Sequence, residues 1–548
     1  MSEHRETESL SRRQILAAGG AAAASLTLEM PGALAADTAP IANTKYGKIR
    51  GSANGSVKVF KGVPYGASTA GANRFMPPKE PEPWSDVRDT IAYGDRSPQS
   101  DAAGFMEEEV VSLDHSPMSE DCLRLNVWTA GLKDGKKRPV MVWFHGGGFS
   151  GGSGGNVRYD GTNLARKHDV VLVTVNHRLN AFGFLYLAKM GGEKYADSGN
   201  AGMLDIVAAL NWVKYNIEEF GGDPGRVTIF GQSGGGGKVT TAMAMPQAAG
   251  KFHRVIAESG LALKAVTSDE ATDVAAKIMT QLNLQPGQVN QLQQIPYEQI
   301  LAAMAKLGPA GNRFGPVMDG RSLVSGNGPF DPVAPALSAK VPMILGSTLT
   351  EITFMKTTPL DAIDDATLRA DLKRALRVDD ETEKLITLYK RDFPQADNTR
   401  LFQLIATDNW LTANVALVAE RKAAQGQGAA YVYHFEKPTP VHDGKLGVPH
   451  TVEITYVFDN LDVPTENAIT GTGKDRYPMA DRMSRAWTQF ARTGDPNVKG
   501  LPHWRPYSAS DRAVMLFNDE CKLVVDPHPE ERIAITEIHM QQGQTSRA

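Results

Sequence analysis

Three short motifs place a hydroxyl, a carboxylate and an imidazole along the chain in an order suited to attack on a carbonyl group. The motif GQSGG is centred on Ser233, GSTLTE ends on Glu351, and GVPH ends on His450. A serine hydroxyl is a poor nucleophile at its ordinary pKa, so an imidazole must remove its proton and a carboxylate must orient that imidazole. The motifs therefore predict a Ser–His–Glu triad that performs acyl transfer.

A second G-x-S-x-G match, centred on Ser153, competes with the first. No apolar strand leads directly into it, and we interpret its glycine run as a flexible loop. Ser233 instead follows the strand-like run RVTIF and precedes residues that can start a helix. A strand, a tight turn and a helix are the setting of an exposed nucleophilic serine. We therefore predict Ser233 as the nucleophile, the alternative being an ordinary turn serine.

A glycine-rich loop, HGGGF at residues 145–149, follows the apolar run PVMVWF. Alone, such a loop is typical of a flexible turn. Beside a nucleophilic serine it has a chemical use, because glycines let two backbone N–H groups converge on the oxyanion of a tetrahedral intermediate. The N–H of Gly234, the residue after the nucleophile, would add a third donor.

The elements that must position these residues form an alternating pattern. The order serine, acid, histidine is that of α/β hydrolases, and short apolar runs separated by helical stretches such as 203–219 predict a mostly parallel sheet flanked by helices. Glu351 lies just past one such run, at the carboxyl edge where open α/β folds place their sites. The predicted strands cover residues 139–144, 170–175, 226–230 and 341–345.

Longer motifs carry a resemblance to a known family. With them the chain resembles, over nearly all of its length after the N-terminal segment, the type-B carboxylesterases, a family that also contains the cholinesterases. The motifs are FKGVPY (60–65), RFMPP (74–78), SEDCLRLNV (119–127), NHRL (176–179), FGGDP (220–224), WTQF (487–490) and TGDPN (493–497).

The resemblance implies an α/β-hydrolase fold with cap and gorge insertions, and serine ester hydrolysis through an acyl-enzyme. It assigns Ser233 as nucleophile, Glu351 as acid and His450 as base. It further implies two structural ion pairs, Arg74 with Glu120 and Arg178 with Asp205. The oxyanion donors it assigns are the N–H groups of Gly147, Gly148 and Gly234.

The chain departs from the family pattern at three places. Gln232 stands where the family commonly has Glu, which removes a negative charge from the site, and Thr451 follows the histidine where the family has a small residue. Residues 234–237 are four consecutive glycines. Each costs roughly 1 kcal/mol in a helix relative to alanine, so we expect the helix to begin late or to fray.

Other residues compete for the triad roles. His434 lies in a strand pattern, where a histidine is usually packed or at an edge, and His442 stands in a Pro-rich turn. His450 alone has the family frame, with Gly447 three residues before it and Glu453 three after. For Glu351 the alternative is a solvated loop carboxylate.

Composition is that of a large soluble enzyme. The chain has 548 residues and a formal net charge of −4, which gives no electrostatic argument for nucleic acid or an acidic membrane. No His, Cys or Asp cluster has metal-ligand spacing, and the glycine runs lack the context of a phosphate loop. We therefore expect no metal, no cofactor and a single domain over residues 36–548, with a small-molecule ester as substrate.

The N-terminus resembles a twin-arginine signal. SRRQIL at residues 11–16 leads into an apolar stretch, and ALA at 33–35 has the small residues of a cleavage site. The apolar stretch, about residues 15–28, is too short to span a bilayer. We predict a signal peptide over residues 1–35 and a periplasmic or secreted protein; a cytoplasmic tail and an uncleaved anchor are the alternatives.

The cysteines and the substrate loop give less information. Cys122 and Cys521 are the two cysteines, and many relatives pair a cysteine at position 122 with one in an upstream CPQ segment that reads SPQ here. A Cys122–Cys521 bond stays open, since bridging depends on Cβ geometry. The loop between Gln99 and Ser119 contains no Trp or Tyr, so the choline-stacking tryptophan of cholinesterases is missing there.

The same scaffold also supports two alternatives to ester hydrolysis. An amidase or carbamate hydrolase would use the same triad, whereas a non-catalytic recognition module on this scaffold would lack the nucleophile. In the loop before Ser119, we interpret the acidic run at residues 107–109 as a solvated face.

Overall fold

The structure, a computed structural model, describes residues 39–100, 104–311 and 314–543. Its strands form where the sequence has runs of β-branched and aromatic residues. The four predicted strands are all present, and the motif around Ser233 lies between a strand and a helix. The strands are β1 (Ile41–Thr44), β2 (Gly47–Arg50), β3 (Ser52–Asn54), β4 (Val57–Pro64), β5 (Arg88–Asp89), β6 (Arg124–Thr129), β7 (Arg138–Phe144), β8 (Val171–Val175), β9 (Gly222–Gln232), β10 (Arg254–Glu258), β11 (Val266–Thr267), β12 (Val317–Met318), β13 (Met343–Thr348), β14 (Ala430–Phe435), β15 (Ala513–Phe517) and β16 (Lys522–Val525).

Helices connect these strands and flank the sheet. The helix predicted over residues 203–219 is α5, which begins two residues earlier and ends in a short 3-10 turn. The α-helices are α1 (Glu107–Val110), α2 (Thr162–His168), α3 (Asn180–Phe184), α4 (Ala188–Gly191), α5 (Ala201–Asn216), α6 (Gly234–Ala244), α7 (Ser268–Gln281), α8 (Tyr297–Gly311), α9 (Asp365–Leu376), α10 (Glu381–Asp392), α11 (Asn398–Thr407), α12 (Ala413–Ala424), α13 (Val452–Val457), α14 (Asn467–Thr470), α15 (Arg476–Thr493) and α16 (Pro529–Gln541).

The main sheet has eleven strands in the order β16-β15-β14-β13-β10-β9-β7-β8-β6-β4-β3. The strands from β15 to β8 pair in parallel, and both edges are antiparallel. Strands β7, β8 and β13 are buried along their whole length, as expected for parallel strands covered on both faces. The predicted α/β-hydrolase fold is confirmed, and the carboxyl ends of β7, β9 and β13 meet at one edge.

The four-glycine run at residues 234–237 does not delay its helix, so the expectation of a late or frayed start is wrong. Helix α6 begins at Gly234. A Cβ on Gly235 would lie 2.0 Å from the carbonyl oxygen of Phe144, and one on Gly236 would lie 2.2 Å from that of Gly260. The glycines are needed because the first turn of α6 packs directly against backbone, and that packing offsets their low helix propensity.

The scaffold contacts implied by the resemblance are present. Arg74 pairs with Glu120 at 2.5 Å and Arg178 pairs with Asp205 at 2.6 Å, all four side chains being buried. Cys122 and Cys521 are both free, and Cys122 is buried.

The described residues from Pro40 onward form one compact unit, in which α9, α10, α11 and α16 share an apolar cluster of their own. Within the described chain, no helix combines the length and apolar character needed to cross a bilayer. The predicted signal peptide, residues 1–35, lies outside the described residues.

Candidate active site

Ser233 occupies a strained turn between β9 and α6. Its backbone has φ 57° and ψ −125°, a conformation that costs a non-glycine residue energy and is found at functional sites. The Ser233 N–H donates to the Glu258 carbonyl at the end of β10, at 2.8 Å. This turn leaves the serine partly exposed, as the predicted strand–turn–helix requires.

Glu351 and His450 come together at the carboxyl edge of the sheet. His450 Nδ1 lies 2.5 Å from Glu351 Oε2, and both side chains are buried. The second Glu351 oxygen accepts the N–H of Thr348 at 2.7 Å. Glu351 is therefore not the solvated loop carboxylate of the alternative interpretation, and its contact with Nδ1 orients the ring and leaves Nε2 to accept a proton.

The other side of His450 faces the motif around the serine. Within the described residues, Ser233 Oγ makes no hydrogen bond, whereas the side-chain amide nitrogen of Gln232 lies 3.1 Å from His450 Nε2 and 3.3 Å from Nδ1. Catalytic hydrogen bonds in ligand-free enzymes are often long and tighten when substrate binds.

The glycine-rich loop after β7 exposes backbone donors beside the serine. Gly147 and Gly148 have φ of 84° and 62°, values that favour glycine. Within the described chain their N–H groups, and that of Gly234, have no hydrogen-bond acceptor. The Cα of Gly148 would lie 2.4 Å from a Cβ placed on Gly234, so the loop packs directly against the start of α6.

A buried acidic cluster lies below the triad. Glu453 accepts a hydrogen bond from Ser259 Oγ at 2.9 Å, and Glu258 accepts one from Trp487 Nε1 at 2.7 Å. Burial, with the charge of Glu351 added, raises the pKa of Glu453 to about 7. Burial and Glu453 raise the pKa of Glu258 to about 8. Both groups can therefore hold a proton near neutral pH, which limits the negative charge beneath the triad.

The same surroundings tune the histidine. Burial lowers the pKa of His450, but the charge and hydrogen bond of Glu351 outweigh burial, and Glu453 and Glu109 add to them. The net pKa of His450 is raised above its usual value. A base with a raised pKa remains protonated, and so inactive, to a higher pH.

Aromatic residues that the sequence did not single out form a wall beside His450. The Phe354 ring centroid lies 4.7 Å and the Trp410 centroid 5.2 Å from the imidazole. Trp410 lies in a π-helical turn, Asp408–Thr412, between α11 and α12, and is 38% exposed. Phe105, from the loop that lacks Trp and Tyr, packs against Phe354 with the ring centroids 5.2 Å apart. The only sequence signal was a lone tryptophan far from every motif.

The structure corrects two interpretations. Ser153 is buried, and its hydroxyl accepts the Gly155 N–H at 2.9 Å and contacts Asn176 at 3.2 Å, so its segment is an ordered turn and not an exposed flexible loop. The acidic run at 107–109 is not wholly solvated, because Glu109 is buried. It pairs with Arg158 at 3.0 Å and accepts the Thr451 hydroxyl at 2.7 Å.

The competing histidines lie elsewhere. His434 contacts Glu436 at 3.1 Å on β14, and the half-exposed His442 contacts Glu108 at 2.7 Å. Neither contacts Glu351.

Among the residues that the structure describes, one group of side chains could hold a metal ion. Asp392, His528 and Glu531 bring potential ligand atoms within 4.8 Å of one another, where the end of α10 meets the start of α16. Asp392 lies 136 positions before His528, and Glu531 follows His528 closely. The spacing of ligands along the chain therefore did not reveal the group. The group contains no triad residue.

Comparisons with known proteins match most of the chain. The model of the carboxylesterase family matches residues 38–535. The para-nitrobenzyl esterase of Bacillus subtilis is 33% identical, covering 90% of this chain and 98% of its own. A Geobacillus stearothermophilus carboxylesterase structure aligns with a TM-score of 0.78 at 36% identity, covering 90% of this chain and 99% of its own. An esterase from Clostridium hathewayi described as hydrolysing aliphatic aromatic polyesters has a TM-score of 0.79 at 33% identity, covering 92% and 99%.

Proposed function

Since this chain belongs to the carboxylesterase family and is a carboxylic-ester hydrolase, we propose that it works through an acyl-enzyme formed on Ser233. The observation that carries the proposal is the pairing of His450 with Glu351 at 2.5 Å, with the strained Ser233 close by. The assignment follows from these contacts together with the chemistry that each group can perform.

The first half of the reaction forms the acyl-enzyme. Ser233 Oγ attacks the ester carbonyl carbon while His450 Nε2 takes the hydroxyl proton, and Glu351 stabilises the imidazolium that results. The carbonyl oxygen becomes an oxyanion held by the N–H groups of Gly147, Gly148 and Gly234. His450 then gives its proton to the leaving alkoxide, the bond from carbon to the alcohol oxygen breaks, and the acyl group stays on the serine.

The second half regenerates the enzyme. His450 removes a proton from water, the hydroxide attacks the acyl carbon, and a second oxyanion forms in the same place. Its collapse releases the acid as His450 returns the proton to Ser233 Oγ. No step needs a metal or an organic cofactor.

We also propose that the protein is exported, because SRRQIL at residues 11–16 and ALA at 33–35 resemble a twin-arginine signal with its cleavage site.

We further propose that the substrates are small-molecule esters. The wall formed by Phe105, Phe354 and Trp410 beside His450 supports an apolar acyl or alcohol group at this position, because aromatic rings bury apolar surface well.

The decisive experiment measures turnover of p-nitrophenyl esters of increasing acyl length by purified protein, with a matched p-nitroanilide in parallel. Ester turnover that is lost in Ser233→Ala supports the proposal. Release of p-nitroaniline at a rate equal to that of the ester would favour the amidase alternative. Absence of turnover across the whole panel would contradict ester hydrolysis.

A further inference from the structure

A lysine is buried directly beneath the glycine-rich loop. Lys238 lies on α6, five residues after Ser233, and is fully buried. Its ammonium donates to the carbonyl oxygen of His145 at 2.9 Å and to that of Gly148 at 2.8 Å. The Phe149 ring centroid lies 5.5 Å from the nitrogen. One side chain thus holds both ends of the loop.

Burying the Lys238 ammonium at this position costs folding free energy. Within the described residues no carboxylate lies within ion-pair distance of Lys238, and burial lowers the pKa of its ammonium to about 7. An ammonium removed from water without a counter-ion costs stability. A methionine or leucine would fill the same space without that cost, which points to a use for the donor groups.

The carbonyls of residues 145–148 are all held by hydrogen-bonding partners. His145 Nδ1 lies 2.9 Å from the Gly146 carbonyl, and the Gly147 carbonyl accepts the N–H groups of Ser150 and Gly151 at 3.2 and 3.0 Å. Lys238 binds the two outer carbonyls. In a peptide group the C=O of one residue and the N–H of the next point in opposite directions. The Gly147 and Gly148 N–H groups therefore point away from the partners of the Gly146 and Gly147 carbonyls, while Lys238 fixes the flanking carbonyls of His145 and Gly148.

The loop and α6 must also be held in a fixed position relative to each other. Two of the proposed oxyanion donors belong to the loop after β7, whereas the third, the Gly234 N–H, belongs to α6, as does Lys238. We propose that Lys238 is a positioning residue for ester hydrolysis, which locks the loop at 145–149 to α6 so that the three N–H groups converge on one oxyanion. This inference rests on the proposed function, since it needs Ser233 to form a tetrahedral intermediate.

Lys422 provides a matched control. It too is a fully buried lysine, and its ammonium donates to the backbone carbonyls of Ser338 and Ala339 at 3.1 and 2.6 Å and to Gln425 Oε1 at 3.0 Å. It makes no contact with the loop or with the triad. Lys238→Met and Lys422→Met therefore make the same chemical change in two places.

The test compares these two variants with the wild type by thermal melting, by kcat and KM for a p-nitrophenyl ester, and by the Kd of phenylboronic acid. The boronate forms a tetrahedral adduct on a nucleophilic serine and needs the oxyanion donors, whereas ground-state binding does not. Removing one oxyanion donor typically costs about 10²- to 10³-fold in kcat. For Lys238→Met we expect about 10²-fold lower kcat, similarly weaker boronate binding and a KM within about threefold of wild type.

Lys422→Met should have lower thermal stability but kcat and boronate affinity close to wild type. If Lys238→Met keeps kcat and boronate affinity within threefold of wild type, or loses no more than Lys422→Met, the inference is wrong. If Lys238→Met does not fold, the comparison uses Lys238→Gln with Lys422→Gln. The shorter amide cannot fully replace an ammonium that bonds two carbonyls, so we expect a partial loss of kcat and boronate affinity in Lys238→Gln alone, and equal values in the two variants would overturn the inference. A failure of the proposed function is distinct, because it would appear in the wild type as absent ester turnover or in Ser233→Ala as retained turnover.

Discussion

The side-chain amide of Gln232 lies over the imidazole ring of His450. Its nitrogen is almost equidistant from the two ring nitrogens, 3.1 Å from Nε2 and 3.3 Å from Nδ1, so it does not lie along the lone pair of either. In the proposed mechanism the Nε2 lone pair is left for the Ser233 proton. A neutral amide also adds no charge beside an imidazole whose pKa Glu351 already raises.

This relationship predicts the acid limit of activity. Burial lowers the pKa of His450, but Glu351 and other nearby carboxylates raise it. The net pKa lies above the usual 6.5. An imidazolium cannot accept the serine proton, so activity is present above that pKa and is lost as the pH falls through it. A profile of kcat/KM against pH for the wild type should have an acid-limb midpoint above 6.5.

Replacing Gln232 by Glu should move that midpoint further up. A carboxylate about 3 Å from the ring favours the imidazolium, and we expect a shift of about one pH unit, with kcat on the plateau reduced by less than tenfold. The measurement is the same pH profile, with thermal melts as a control for folding. A midpoint that stays in place or moves to lower pH would contradict the contact between residues 232 and 450.

Loss of the nucleophile should abolish turnover. We expect Ser233→Ala to lower kcat on the order of 10⁶-fold, the typical effect of removing a triad nucleophile. Ser153→Ala removes a buried hydroxyl that contacts Asn176, so it should lower thermal stability slightly and retain most of the activity. If the Ser153 variant were the less active of the two, Ser233 would not be the nucleophile.

Glu351→Gln should show whether the charge of Glu351 is needed for activity. The amide keeps the volume of the carboxylate but removes the charge that stabilises the imidazolium, an effect of roughly 10⁴-fold in a comparable triad. Residual activity should have its acid limb at lower pH than wild type, since the largest pKa-raising group is gone. Glu351→Asp should recover part of kcat. A well-folded Gln variant with more than about a tenth of wild-type kcat would mean that another carboxylate is the triad acid.

The glycine run offers a test of packing beneath the nucleophile. A Cβ on Gly235 would lie 2.0 Å from the Phe144 carbonyl oxygen, whereas one on Gly237 meets only the Phe149 ring at 3.5 Å. Gly235→Ala should therefore displace α6, destabilise the fold by about 1–3 kcal/mol and lower kcat. Gly237→Ala should stabilise the fold by up to about 1 kcal/mol through helix propensity, with activity unchanged. Urea unfolding and kcat distinguish the two, and equal effects would refute this account of the run.

The strand–turn–helix around Ser233 and the strands at β7, β8, β9 and β13 could be predicted from the sequence alone. Each depends on residue types within a few positions of one another: β-branched runs, flanking glycines and a helix that starts at once. The pairing of Glu351 with His450 also followed, because the parallel topology brings the carboxyl ends of the strands to one edge.

Other features were decided only by the tertiary structure, since they join side chains that are remote along the chain. Thr451 bonds Glu109 across 342 positions, which buries a carboxylate that local charge pattern assigned to solvent. Lys238 reaches back about ninety residues to the loop after β7, and Trp410 packs against the His450 ring from a turn between two helices. Hydropathy and spacing describe a residue and its near neighbours, whereas burial, ring contacts and carbonyl anchoring depend on which distant elements pack together.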